Sequence, residues 1–94
     1  MLDISKYLLE LNKMRTGDVE KFNDVMFFFN TIWSDDDQKE FFVKFEDGDS
    51  CYQLLLNDDN SFDIEEFDED EILELLEFHS DEALDEWNSF YSWR

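Results

Sequence analysis

Proline is absent from this 94-residue chain, glycine occurs twice, and cysteine and histidine occur once each. With no proline and no glycine- or serine-rich run there is no linker, and no internal repeat is visible. Residues 1–94 therefore read as one domain with a modest core. A lone Cys51 excludes an internal disulfide and makes a reducing cytosol the expected setting. Cys51 and His79 belong to no nucleophile–base pattern, and no glycine-rich phosphate loop occurs, so neither an enzyme nor a cofactor is expected. The stretch Met1-Leu2-Asp3-Ile4-Ser5-Lys6 lacks a basic region followed by a long apolar run, and no secretory signal is expected. The longest apolar-rich run, Val25 to Trp33, is interrupted by Asn30 and Thr31 and falls short of the ~20 residues that span a bilayer.

The most consequential scarcity is of positive charge. After Lys44 there is no lysine or arginine until Arg94. The first 44 residues hold six basic and nine acidic side chains, while residues 45–94 hold one basic and eighteen acidic, giving −20 in all. Phosphate neutralisation by Lys and Arg supplies most non-specific nucleic-acid affinity, so direct binding to DNA or RNA is excluded as the expected role. Anionic membrane surfaces repel such a chain as well. Self-repulsion on this scale works against a compact state, so a positively charged partner is expected.

Aromatic residues are plentiful: eleven Phe, three Trp and three Tyr make 18% of the chain. Each can bury ~150–250 Å², which favours a folded domain over an acidic tail. Ile4, Leu8 and Leu11 mark one helical face between Ile4 and about Met14, with Tyr7 widening it. Thr16-Gly17-Asp18 breaks that pattern, and Asp18 can cap a second helix in which Val19, Phe22, Met26, Phe29 and Trp33 follow helical spacing. Phe41–Phe45 and Cys51–Leu56 read as a hairpin around Glu46-Asp47-Gly48-Asp49-Ser50, with Gly48 at a positive φ. Phe62-Asp63-Ile64 is a candidate third strand. Helix returns from about Asp68 to Phe78, and Ser80 can cap a last one with Leu84, Trp87 and Tyr91 on its inner stripe. The expected fold is α+β: two N-terminal helices, a small antiparallel hairpin or three-stranded sheet, and two acidic C-terminal helices.

Asp70–Glu74, Glu74–Glu77, Asp81–Asp85 and Glu82–Glu86 have i,i+4 or i,i+3 spacing, which sets Cβ atoms ~5–6 Å apart on one face. That repeat is of the order of successive phosphates on a nucleic-acid strand. A solvated face kept acidic for solubility is the plainer alternative, but no base is interleaved to relieve the repulsion. Asn57 to Asp68 loosely imitates a twelve-residue calcium loop, yet Phe62 replaces its glycine and Asp68 its bidentate glutamate, so no metal site is expected. Cys51 reads as a small buried strand residue, and His79 as a surface imidazole among acids. Phe78, Phe27 and Trp93 fall on polar sides of their segments. They are candidates for a hot spot against a basic partner, or for burial by the sheet or by a second subunit in a homodimer.

About one hundred residues, extreme negative charge, many aromatics and acidic helices, strongest over residues 46–86, resemble phage-type acidic DNA-mimic inhibitors of the anti-restriction and anti-CRISPR class. The resemblance lies in overall character and includes no shared motif. It implies a mode of action: occupying the cationic DNA- or RNA-binding surface of a nuclease or nucleoid protein, in the host cytoplasm where the gene is phage-borne. The expected contacts are Glu46, Asp47, Asp49, Asp58, Asp59, Asp63, Glu65, Glu66, Asp70, Glu71, Glu74, Glu77, Phe78, Asp81, Glu82, Asp85 and Glu86. The alternative is an acidic antitoxin that covers the active site of a basic toxin.

Overall fold

A computed structural model of the chain describes residues 4–22, 25–33, 35, 37–45 and 50–92, with side chains through Ser89. Among these residues, β1 (Val19–Phe22), β2 (Val25–Trp33), β3 (Gln38–Phe45), β4 (Cys51–Leu56) and β5 (Phe62–Phe67) form one antiparallel sheet. Its strand order follows the chain, β1-β2-β3-β4-β5. A 3-10 turn at Ser5–Tyr7 runs into the short α1 (Leu8–Leu11) before the sheet, and α2 (Glu69–His79) and α3 (Asp81–Ser92) follow it.

This corrects the expected fold at its centre. The segment from Asp18 to Trp33 is not a second N-terminal helix but the first two strands, so the sheet has five strands instead of two or three. The apolar run Val25–Phe29 is buried on both faces of β2, so it shows no polar/apolar alternation. A continuous run of this kind satisfies helical spacing as readily as strand spacing, and its β-branched and aromatic residues then favour the strand. Phe27, expected on an exposed side, is consequently fully buried. Asp18 caps no helix; its Oδ2 accepts the Arg15 amide at 2.9 Å in the turn leading to β1. Gly48 and Trp93 lie outside the described residues.

Alternation along the strands divides the core in two. Val25, Phe27, Phe29, Phe41, Val43, Leu54 and Leu56 face the N-terminal segment, where Ile4, Tyr7, Leu11 and Met14 cover them. Met26, Phe28, Phe42 and Cys51 point the other way, under Ile72, Leu76, Ala83 and Trp87 of α2 and α3. A β-bulge between Phe29 and Thr31 sets Asn30 outside the β2–β3 register. Gly17 sits at φ 92°, a conformation that favours glycine, and a Cβ there would meet His79 Nδ1 at an ordinary contact distance of 3.5 Å. No helix among the described residues is long and apolar enough to cross a membrane.

Candidate partner-binding surface

The acidic helices are locally well specified. Asp68 caps α2, its Oδ1 accepting the Asp70 amide at 3.1 Å, and Glu69, Asp70 and Glu71 fill the first turn, where the helix dipole favours negative charge. Ser80 then opens α3, its Oγ accepting the Ala83 amide at 3.0 Å, with Asp81 and Glu82 in the first turn. Ile72 and Leu76 are buried, which turns Asp70, Glu74 and Glu77 outward at helical spacing. Ala83 and Trp87 do the same for Asp81 and Asp85 on α3.

One cation is enclosed by this layer. Lys44, on β3, is fully buried, its Nζ 3.1 Å from Glu69 Oε2 and 4.9 Å from the centre of the Trp87 ring. Lys44 Nζ also donates to the Trp87 carbonyl at 3.4 Å, and Trp87 Nε1 donates to the same Glu69 oxygen at 3.1 Å. A buried ammonium needs such compensation. The consequence for the surface is simple: Lys44 is engaged internally by Glu69 and Trp87 and is not displayed among the outward acids of α2 and α3. Beside it, burial and the nearby Glu69 charge push the Cys51 thiol up to about 12. Cys51 is thus the small buried strand residue expected of it.

All thirteen described acids among the expected contacts are exposed, as is Phe78 at 88%. They do not form one patch. Asp70, Glu74, Glu77, Asp81 and Asp85 share the outer side of the helical layer. Glu82 and Glu86 instead line a cleft of about 490 Å³ together with Asp18 and Glu20 of the β1 edge. Glu71 is exposed on the flank of α2 away from Glu69, and Asp63 and Glu65 lie on the helical face of the edge strand β5. Glu66 points to the opposite face of β5 and accepts the Ser50 hydroxyl at 2.7 Å. Asp58 and Asp59 sit apart in the β4–β5 turn, where hydrogen bonds from the Ser61 hydroxyl and amide hold the Asp59 carboxyl below its usual range. Glu46, Asp47 and Asp49 lie outside the described residues.

The calcium-loop imitation dissolves into a turn and a strand. Asn57 and Ser61 pair across the turn, with Asn60 at φ 69°, and Phe62–Phe67 then alternates across the sheet, so Asp63 and Glu66 diverge. Among the described residues no group of three or more His, Cys, Asp or Glu side chains is placed to hold a metal ion. His79 does more than face solvent: its ring packs edge-on against Phe28 at 5.3 Å, and Nε2 lies 3.1 Å from Asn30 Oδ1. It ties the end of α2 to the bulged strand.

Sequence reasoning missed Asp18 and Glu20, because a helix over that segment gave them no common neighbour with Glu82 and Glu86. It also missed Trp33, 52% exposed at the end of β2, because helical spacing places it on a core stripe. No protein-family model, curated protein or solved structure matches the chain.

Proposed function

We propose that the protein is a non-enzymatic, stoichiometric inhibitor of a nucleic-acid-binding protein, and that its acids take the place of phosphates on the partner's cationic surface. The observation that carries this reading is the helical layer. Glu69 to Glu86 supplies nine carboxylates with no lysine or arginine among them, and all but Glu69 are exposed. Like charges three and four residues apart destabilise a helix. A layer that keeps eight of them outward, while its one buried lysine is held by Glu69, suits a positively charged partner better than solubility alone.

A bacterial restriction or CRISPR nuclease is the target class that the overall resemblance points to. Electrostatic steering by such a surface makes association fast and salt-sensitive. The test is a gel shift on a target captured from bacterial lysate, with protein added before DNA. DNA binding should be lost in proportion to the protein added. A target that keeps full DNA binding while complexed sinks the reading.

The exposed Phe78 and Trp33 favour a second reading, an acidic antitoxin plugging the active site of a basic toxin. It requires no tracking of nucleic-acid geometry, and DNA should then fail to compete.

A further inference from the structure

The two helices cover only part of their side of the sheet. Thr31, Glu40, Leu55 and Asp63 are cross-strand neighbours in one row over β2–β5, and Trp33 pairs with Gln38 beyond them. Cross-strand partners share a face, and Asn30 and Glu40, tied to each other and to His79, place this row on the helical side. Yet none of these residues belongs to the cluster that α2 and α3 bury. The row is a floor only partly covered: Glu40 is buried, Thr31 and Leu55 are half-buried and Asp63 is exposed. α3 packs on the Glu69 flank of α2 through Trp87, so the opposite flank, bearing Glu71, Leu75 and Phe78, forms a wall along the floor.

The chemistry of this shelf is consistent. Glu40, 5% exposed, accepts hydrogen bonds from two neutral amides, Asn30 at 2.8 Å and Gln53. Asp63, Glu65 and Glu71 add exposed carboxylates around it. Lys39, the nearest cation in sequence, points to the other face, where its Nζ donates to Asn12 at 3.1 Å. Trp33, at the end of the row, and Phe78, on the free flank of α2, are large exposed aromatics.

We infer that the uncovered half of the sheet is a docking shelf for an arginine- or lysine-bearing helix or loop of the partner protein. It rests on the reading that the partner is a cationic protein, and it adds where a protein segment, as distinct from a phosphate-binding groove, is engaged. Charge selects this occupant. A second copy of the chain brings another −20 and is repelled, as are nucleic acid and an anionic bilayer. The aromatics supply what carboxylates lack: stacking for a guanidinium and apolar area at the centre of a contact.

The probe is a synthetic arginine–leucine peptide titrated into the 15N-labelled full chain. Amide shifts should centre on Thr31, Trp33, Leu55 and Asp63, with the Trp33 indole NH among them. Trp33→Ala with Phe78→Ala should raise Kd by about tenfold or more, and Asp81→Asn with Asp85→Asn by less than about threefold. Leu55→Arg sets a cation on the half-buried floor and should give the same loss as the aromatic pair, with a melting curve checking that each variant folds. Shifts confined to the outer acids of α2 and α3, or an unchanged Kd for the aromatic and Leu55 variants, overturn the shelf and leave the phosphate-imitating reading standing. Self-association abolished by Trp33→Ala overturns it in favour of a dimer face. Failure of DNA competition at the target would instead remove the parent reading.

Discussion

Across the sheet, the N-terminal cover packs Ile4, Tyr7, Leu11 and Met14 onto a phenylalanine-rich face and leaves Lys6, Lys13 and Arg15 exposed. The C-terminal cover packs Ile72, Leu76, Ala83 and Trp87 onto the other face and leaves only acids and His79 outward as charge-bearing groups among the described side chains. Both covers are attached by ordinary apolar burial. They differ in what holds them against their own charge: the acidic cover has Lys44 beneath it, bonded to Glu69 and stacked on Trp87. The charge imbalance between the two parts of the sequence thereby becomes an imbalance between two sides of one molecule. Lys44 anchors the acidic cover from beneath through Glu69 and Trp87, while the outward acids keep their charge.

The strongest way to break this contrast is to remove the internal anchor. Glu69→Ala takes the carboxylate away from a buried ammonium, and urea denaturation should show a loss of about 3–5 kcal/mol. Replacing both partners, Lys44→Met with Glu69→Leu, should cost clearly less, since it is the unpaired charge that is expensive. On the other face Leu11→Ala has only a cavity to answer for, about 2–5 kcal/mol, and its effect should not vary with salt.

Next in size is the screening response. Screening length falls from ~10 Å at 0.1 M salt to ~3 Å at 1 M, so the melting temperature should rise with sodium chloride. The rise should shrink in Asp70→Asn/Glu74→Gln/Glu77→Gln, which relieves like-charge pairs worth about 0.2–0.5 kcal/mol each. The same triple variant should weaken target binding through slower association, with each single change costing less than ~1.4 kcal/mol. Calcium at equal ionic strength should add little, and a large calcium-specific rise would contradict the turn-and-strand geometry of Asn57–Phe67.

The alkaline response is a separate lever. The folded Cys51 thiol has its pKa raised to about 12 from 9.0. The unfolded chain therefore loses this proton first. Stability is unaffected below the unfolded value and falls as pH rises from there toward the folded one. Alkaline denaturation curves should flatten in Cys51→Ala, and alkylation of the native thiol at pH 8 should be slow. The smallest effect belongs to Asp59. Ser61→Ala removes the hydroxyl bond to its carboxyl, and an NMR titration should show that group moving back up.

The C-terminal helices were legible because their signals are local: a capping Ser80, and apolar residues at three- and four-residue spacing with acids opposite. The β3–β4 hairpin was legible from two β-favouring runs around a polar turn. Asp18–Trp33 was not, because a strand buried on both faces carries no period-two signature, and Val19, Phe22, Met26, Phe29 and Trp33 also fit a helical stripe. That one misreading hid the five-stranded sheet, buried Phe27, and concealed both the β1–α3 acidic cleft and the open floor beside α2. Exposure of the individual acids could be read from the chain; which of them share a surface depended on where the strands lie.

The strand order has a kinetic consequence. Because each strand pairs with its neighbour in sequence, every pairing closes a short loop, the kind of topology that folds quickly for a sheet. During synthesis, domains assemble from the amino end. Here the N-terminal cover and all five strands are complete by Phe67, before the first residue of α2 is made. The sheet and its N-terminal cover can therefore collapse first and serve as a template. The most self-repelling helices are added last, onto a surface where Lys44 already waits for Glu69.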